Sequence, residues 1–231
     1  MLIYNHPNLK QYFFRHHGIS HPSLVSYNGG DFPSFHSHQP AAKAENEKIL
    51  YVYAGNIYPW HGVDLLAPIL KILASRMNYR FYLVSGTKSE YADKVRGDLS
   101  RIHQCTIVND SRKDVLMEYI CAADYCFLPS ADQRVSPGSP IKLFDYMKFG
   151  KRVITQRDFC GYSDVVESAG AGFAIDFFDP HAAASEILSR DPCRSNSTIE
   201  NEIISNARHE HSWESRIKLW LDFFEKQGVS K

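Results

Sequence analysis

The chain has 231 residues, enough for one large domain or two small ones, and its 44% hydrophobic and 13% aromatic content is that of a globular protein with a true core. Its 26 basic and 26 acidic residues cancel, which argues against an electrostatic grip on nucleic acid or on an anionic membrane. Five cysteines are scattered with no C-x-x-C pair. Cys105, Cys121 and Cys126 lie in or beside apolar segments and are expected as buried thiols of a reducing, cytoplasmic compartment. No two Cys or His stand at ligand spacing in a turn-rich context, so no metal site is expected. No apolar run is long enough to span a bilayer and the start lacks the form of a signal peptide, which leaves at most peripheral membrane contact.

In chain order, residues 1–5 form a short apolar start, and a helical pattern follows His6-Pro7 until Gly18 ends it. Residues 24–27 read as a strand closed by the turn Asn28-Gly29-Gly30-Asp31. Residues 32–48 are polar and irregular and read as a loop or linker. Strands are then expected at 49–54, 80–85, 105–108, 124–129, 152–155 and 172–176. Helices are expected at 63–77, 89–102, after a Ser111 cap, 139–149, 162–169, 180–188, 199–209 and 213–226. Pro68 should kink the first of these or delay its start. Short apolar strands alternating with helices require an α/β fold, a doubly wound parallel sheet of Rossmann-like type covered on both faces. Ligands of such sheets bind at the strands' carboxyl ends, here the loops 55–62, 85–89, 109–112, 129–139 and 156–161.

One stretch concentrates the chemistry. Ser139 suits an N-cap, Pro140 the first helical position and Gly150 a helix stop. A helix N-terminus with Lys142 in its first turn can hold a phosphate, and Asp145 faces the same way at i,i+3. A cation for a diphosphate and a carboxylate for sugar hydroxyls suggest a nucleotide-sugar site; an ordinary surface Lys…Asp pair is the alternative.

Residues 49–226 resemble the C-terminal, nucleotide-sugar-binding domain of a GT-B glycosyltransferase, closest to the large retaining family 4. Five segments carry the resemblance in order. They are Val52-Tyr-Ala-Gly55 with Trp60-His-Gly-Val-Asp-Leu-Leu66; Tyr82-Leu-Val-Ser-Gly86; Val115-Leu-Met-Glu-Tyr-Ile-Cys-Ala-Ala-Asp124 with Phe127-Leu-Pro-Ser130; Ser139-Pro-Ile-Lys-Leu-Phe-Asp-Tyr-Met147 with Gly150-Lys-Arg-Val-Ile154; and His211-Ser-Trp213.

The resemblance implies roles. Asp145 stands where the family places a glutamate that holds the nucleotide's ribose hydroxyls. Lys142 and the N–H groups of Ser139 to Ile141 would face the donor phosphates, and Gly55 would let backbone approach the diphosphate. Asn56 and His61 replace an Arg and a Lys of the family; Asn56 can still donate, and His61 can donate and become cationic beside phosphate. Pro137 replaces the family's first acidic residue. Lys142 and His61 are the expected catalytic groups, stabilising the leaving nucleotide diphosphate without a metal. Arg134 is either a further phosphate contact or a solvated loop residue. Trp60 either walls the pocket or packs on the next helix. Ser85 and the 109–112 turn would meet the base through backbone groups. The other histidines are expected at the surface.

The expected donor is a UDP- or GDP-sugar, and the helix motif resembles that of enzymes building surface polysaccharides. Residues 1–48 read as a remnant of the interdomain region and 49–231 as the donor-binding domain. An acceptor domain needs on the order of 150 further residues. The chain is therefore expected to act with a separate acceptor-binding partner or a second copy, or else to be a non-catalytic nucleotide-sugar-binding subunit or a degenerate transferase. An epimerase on a related fold is the third reading.

Overall fold

The computed structural model describes residues 1–32, 48–132 and 139–228. The N-terminal elements are β1 (Leu2–Tyr4), α1 (Pro7–His17) and β2 (Ser23–Val25). The two strands pair in parallel with each other and stay outside the main sheet. His6 caps α1 by accepting from the Asn8 amide at 3.1 Å, and its Nε2 donates to the Cys160 carbonyl at 3.0 Å. It is fully buried, which corrects the surface expectation for this histidine: a ring with both nitrogens bonded can leave water at little cost. Gly18 ends α1 in the left-handed conformation, as its position in the sequence indicated.

The main sheet runs β3 (Ile49–Ala54), β4 (Tyr79–Val84), β5 (Cys105–Val108), β6 (Tyr125–Leu128), β7 (Arg152–Gln156) and β8 (Gly172–Ile175), all parallel, in the order β5-β4-β3-β6-β7-β8. All six lie within a residue or two of the expected strands. Alternation sorts their side chains into two cores. Tyr51, Tyr53, Phe81 and Phe127 pack toward α2 (Leu66–Ala74), α3 (Glu90–Ser100) and α7 (Pro180–Ser189). Val52, Ala54, Cys126 and Val153 pack toward α4 (Lys113–Ala122), α5 (Ile141–Lys148), α6 (Ser163–Ser168) and α8 (Ser197–His211). Among the expected buried thiols only Cys126 is fully enclosed; Cys105 and Cys121 are half-buried.

The sequence misplaced several helix starts. Two short 3-10 turns precede α2, so Pro68 falls in its first turn, where a missing N–H costs nothing. α4 begins after Arg112, whose amide donates to Asp110 Oδ1 at 2.8 Å, so Asp110 rather than Ser111 serves that turn. Ser111 instead packs where Gly86 leaves room: a Cβ on Gly86 would lie 2.7 Å from Ser111 Oγ.

Two buried polar anchors fix the lower sheet and the C-terminal helices. Asp124 accepts from the Leu50 amide at 2.9 Å and the Ser195 amide at 3.0 Å, tying β3 to the segment before α8. Lys151, fully buried, donates to Glu200 Oε1 at 2.5 Å and pins α8 beside the turn at Gly150. There a Cβ would meet the Glu200 carbonyl oxygen at 2.5 Å.

The last helix, α9 (Trp213–Lys226), returns to the N-terminal segment. Gly30 bridges Ser212, Trp220 Nε1 donates to Ser26 Oγ at 2.9 Å, and Asn28 Nδ2 donates to the Ser139 carbonyl at 2.6 Å. His211 sits at this junction. It accepts from Arg216 at Nδ1 (2.7 Å) and bonds Ser168 Oγ through Nε2 (3.1 Å). Burial first, then the Arg216 charge, pushes its pKa down to about 4 against the opposing pull of Glu210 and Asp164.

Two outcomes follow from these anchors. Lys151→Met is expected to cost about 3–5 kcal/mol in urea unfolding because it strands a buried carboxylate, and Lys151→Met with Glu200→Leu is expected to recover most of it. A loss below ~1 kcal/mol in the single variant would refute the anchor role. For His211, the neutral form is favoured in the fold. Its stabilisation is therefore present above the unfolded pKa of 6.5 and lost as pH falls toward 4. Thermal melts at pH 7 and 4.5 should show a larger acid loss in the wild type than in His211→Asn.

Candidate functional site

The strand order reverses at β3. From there β4 and β5 are added on one side, and β6, β7 and β8 on the other. The crevice outside the carboxyl ends of β3 and β6 is where such sheets bind ligands. The loop after β3 and the helix α5 after β6 converge on it. Tyr146 of α5 bolts them together: its hydroxyl accepts from the Ala54 amide at 3.1 Å and donates to the Ala54 carbonyl at 3.2 Å. Lys142, one turn earlier on the same face, therefore also reaches the end of β3.

Lys142 crosses directly over Gly55. A Cβ at Gly55 would lie 3.3 Å from Lys142 Nζ and 3.4 Å from Cε, and Gly55 holds φ +131°. The ammonium ends 2.7 Å from the Tyr53 hydroxyl and 4.5 Å from the centre of its ring. An ammonium only donates, so the phenol oxygen accepts, and its own proton goes to the Asn56 carbonyl at 2.6 Å. The same carbonyl takes His61 Nδ1–H at 2.7 Å. Burial pushes Lys142 down to about 7. Burial and then the Lys142 charge push His61 down to about 4.

With no anion in the cleft His61 is neutral, and its Nδ1–H is spent on the loop backbone, where it fastens residues 56–61. The space over Gly55, expected for a diphosphate, holds the Lys142 ammonium.

Gly55, Lys142 and Asp145 line one cleft together with Lys113, Met117 and Tyr146. Asp145 is exposed at its rim. Loss of surrounding water raises its carboxyl, while Lys148 and Lys113 oppose the shift. Asn56 is exposed and contributes its carbonyl to the network. Ser85 departs from expectation. It is buried, its amide donates to the Val108 carbonyl at 3.0 Å, its carbonyl accepts from Arg96, and its hydroxyl bonds Thr87. Its polar groups are thus bonded to β5, α3 and the loop itself.

Ser139 is not the N-cap of α5. The helix begins at Ile141 after Pro140, whose carbonyl takes the Leu143 amide at 3.1 Å. Pro140 holds an extended ψ of 119°, which places Ser139 one residue too early to reach the first turn. Ile141 is 68% exposed beside that turn. Trp60 is half-buried, and its ring stacks on Tyr58 with centroids 4.9 Å apart. Arg134 and Pro137 lie outside the described residues.

Sequence reasoning missed Tyr53, Tyr146 and Lys113. The tyrosines read as core, and the available signal was that a buried phenol must place its hydroxyl on a partner. Lys113 was hidden at the start of α4. The cleft thus carries three lysines, Lys113, Lys142 and Lys148, against the single carboxylate of Asp145. Its charge suits an anion. Its volume of about 130 Å³ is below that of an ordinary ligand pocket, so it would enclose only part of a nucleotide sugar. Among the described residues no group of three or more His, Cys, Asp or Glu could hold a metal.

Solved structures share this fold. WaaG, a glycosyltransferase involved in lipopolysaccharide biosynthesis, is 19% identical with a TM-score of 0.67 over 98% of this chain and 62% of its own. Sucrose-phosphate synthase from Thermosynechococcus elongatus is 19% identical with a TM-score of 0.72 over 99% of this chain and 58% of its own. HepE from Anabaena, solved with UDP and glucose, is 16% identical with a TM-score of 0.69 over 97% and 62%. At these identities the likeness shows the GT-B glycosyltransferase domain fold, and the chain spans about three fifths of each of these proteins. No curated protein matches the chain in sequence. The sequence profile of the glycosyl transferases group 1 family matches residues 48–190, which take in the whole six-stranded sheet, the Gly55 loop and α5, and the chain belongs to that family.

Proposed function

We propose that this chain is the donor-binding half of a glycosyltransferase that moves a sugar from a UDP- or GDP-sugar to a glycan or lipid-linked acceptor. The observation that carries the reading is the Lys142 ammonium lying across Gly55 at the reversal of strand order. It is a half-buried cation whose hydrogen-bond partner among the described residues is a phenol rather than a carboxylate, at the place where α/β sheets take phosphates. As a sugar–phosphate bond breaks, negative charge grows on the leaving diphosphate. Lys142, the leading amides of α5 and Lys113 would stabilise that charge, and the reaction would need no metal. Losing one such contact typically costs about 2–4 kcal/mol of barrier. Asp145 at the cleft rim would hold the ribose hydroxyls.

WaaG is a glycosyltransferase involved in lipopolysaccharide biosynthesis and WaaB is a lipopolysaccharide outer core galactosyltransferase, which supports surface polysaccharide synthesis as the setting. HepE was solved with UDP and glucose, which favours a UDP-sugar donor. The small enclosed cleft supports a second, acceptor-binding body facing this one, from a separate protein or a second copy. So does α9, which fully buries none of its described residues and exposes Ile217, Leu219 and Leu221. A nucleotide-sugar-binding subunit without catalysis is the second reading, favoured by His61 being neutral and tied to the loop.

Calorimetric titration with UDP-glucose and GDP-mannose is expected to show binding of at least one, unchanged by EDTA. Lys142→Ala should weaken it about ten- to hundredfold and Asp145→Ala about tenfold. Wild-type affinity in both variants would dismiss the site, and no binding of either sugar nucleotide would dismiss both readings. Glycosyl transfer by the isolated chain would refute the need for a partner.

Lys142 should also cost stability. Its pKa in the fold is about 7 against 10.5 unfolded, so the fold disfavours the charged form. Stability from this group is fullest above the unfolded value and falls as pH drops to about 7. Lys142→Met should therefore raise the melting temperature by ~2 °C or more at pH 7, with the gain shrinking toward pH 10.

A further inference from the structure

Tyr53 lies one residue before the end of β3, with its ring enclosed in the core beside Ile57 and Leu66. A phenylalanine would fill the same space, and a buried hydroxyl is tolerated only when bonded. Other buried tyrosines on this face turn their hydroxyls to structural groups. Tyr79 donates to the Leu70 carbonyl at 2.7 Å, and Tyr51 faces Met77 Sδ at 3.9 Å. Tyr53 differs because its oxygen meets a cation that lines the cleft.

The Lys142 ammonium donates to the phenol oxygen at 2.7 Å and stands beyond the hydroxyl end of the ring, 4.5 Å from its centre. That bond favours the charged amine through the phenol's lone pair. The phenol proton then fixes the Asn56 carbonyl, which His61 holds from the other side. One side chain therefore sets both the cation and the loop beneath it.

We infer that Tyr53 is a positioning residue for the donor: its hydroxyl aims the Lys142 ammonium over Gly55 and locks the 55–61 loop to the same point, so that cation and loop form one preformed anion site. This rests on the cleft being the nucleotide-sugar site proposed above. Among the described residues, the groups facing Lys142 come from four elements. Tyr53 comes from β3 and neutral His61 from the loop. Tyr146, Asp145 and Lys148 come from α5, and Lys113 from α4. Among them Tyr53 accepts the hydrogen bond of the ammonium. Without its hydroxyl the amine loses the contact that offsets its lost hydration, and gives up its proton at lower pH.

Tyr53→Phe keeps the ring and its packing, and tests this directly. In the ligand-free chain, the NMR titration of the Lys142 side chain is expected to move to lower pH in the variant. An unmoved midpoint would overturn the inference whether or not any donor binds. Calorimetry with UDP-glucose and GDP-mannose from pH 6 to 9 supplies the second readout; the diphosphate diester of these ligands does not itself titrate in that range. The variant is expected to bind about tenfold more weakly at pH 7.5, to lose affinity at a lower pH than the wild type, and to recover toward wild-type affinity at pH 6. Equal or tighter binding with the wild-type pH profile would overturn the positioning role. A uniform loss at every pH would overturn the assignment of Lys142 to Tyr53, because it would confine the hydroxyl to holding the 55–61 loop. Failure of the wild type to bind either nucleotide sugar would instead remove the reading of the cleft, and the ligand-free titration would still decide whether Tyr53 governs Lys142.

Discussion

The clasp of α5 on the end of β3 is the contact on which the candidate site depends. A parallel strand ends with unpaired backbone groups that must find partners. At Ala54 both the amide and the carbonyl are met by one hydroxyl, that of Tyr146. This fixes the rotation of α5 about its axis. Once Tyr146 is placed, Lys142 one turn earlier lies over Gly55, and Asp145 comes to the rim of the same cleft. The absence of a side chain at Gly55 is what lets the lysine pass from the α5 side of the sheet to Tyr53 on the other.

Two lysines show how differently one charge can be used. Lys151 is paired with the carboxylate of Glu200 in a site closed to solvent, which turns charge into a structural bolt between α8 and the turn after α5. Lys142 has a neutral phenol for a partner. A phenol supplies direction and a lone pair but no opposite charge, so the ammonium retains its appetite for an anion. The fold bears the cost of that uncompensated cation, the usual trade of stability for a prepared site.

Four points tie the N-terminal segment to the main domain. His6, Asn28, Gly30 and Ser26 are each bonded to groups from the β7–α6 loop, the start of α5 or the C-terminal helices. The β1–β2 pair is thereby carried on the same body as the cleft while remaining outside its sheet. The apolar residues left exposed on α1 and α9, among them Tyr12, Phe14, Ile217 and Leu221, belong to this region.

Periodicity and punctuation in the sequence determined the six strands, their parallel order of appearance with intervening helices, and therefore the doubly wound fold. Local patterns are enough for this because an apolar run of five residues flanked by helices has few other ways to bury both its faces. The sequence also brought out Gly55, Lys142 and Asp145, through helix spacing and a family resemblance. It could not decide charge states or who spends which hydrogen bond. His61 read as a donor to phosphate, but the Asn56 carbonyl, five residues away, claims its proton. Ser139 read as a cap, but the extended ψ of Pro140 delays the helix. Ser85 read as a base contact, but Arg96 and Thr87 take its polar groups. Tyr53 read as core and turned out to bridge Lys142 and the loop. In each case the deciding partner is set by the packing of neighbouring elements, and hydrogen bonding and desolvation depend on distances of a few ångströms that only the tertiary structure fixes.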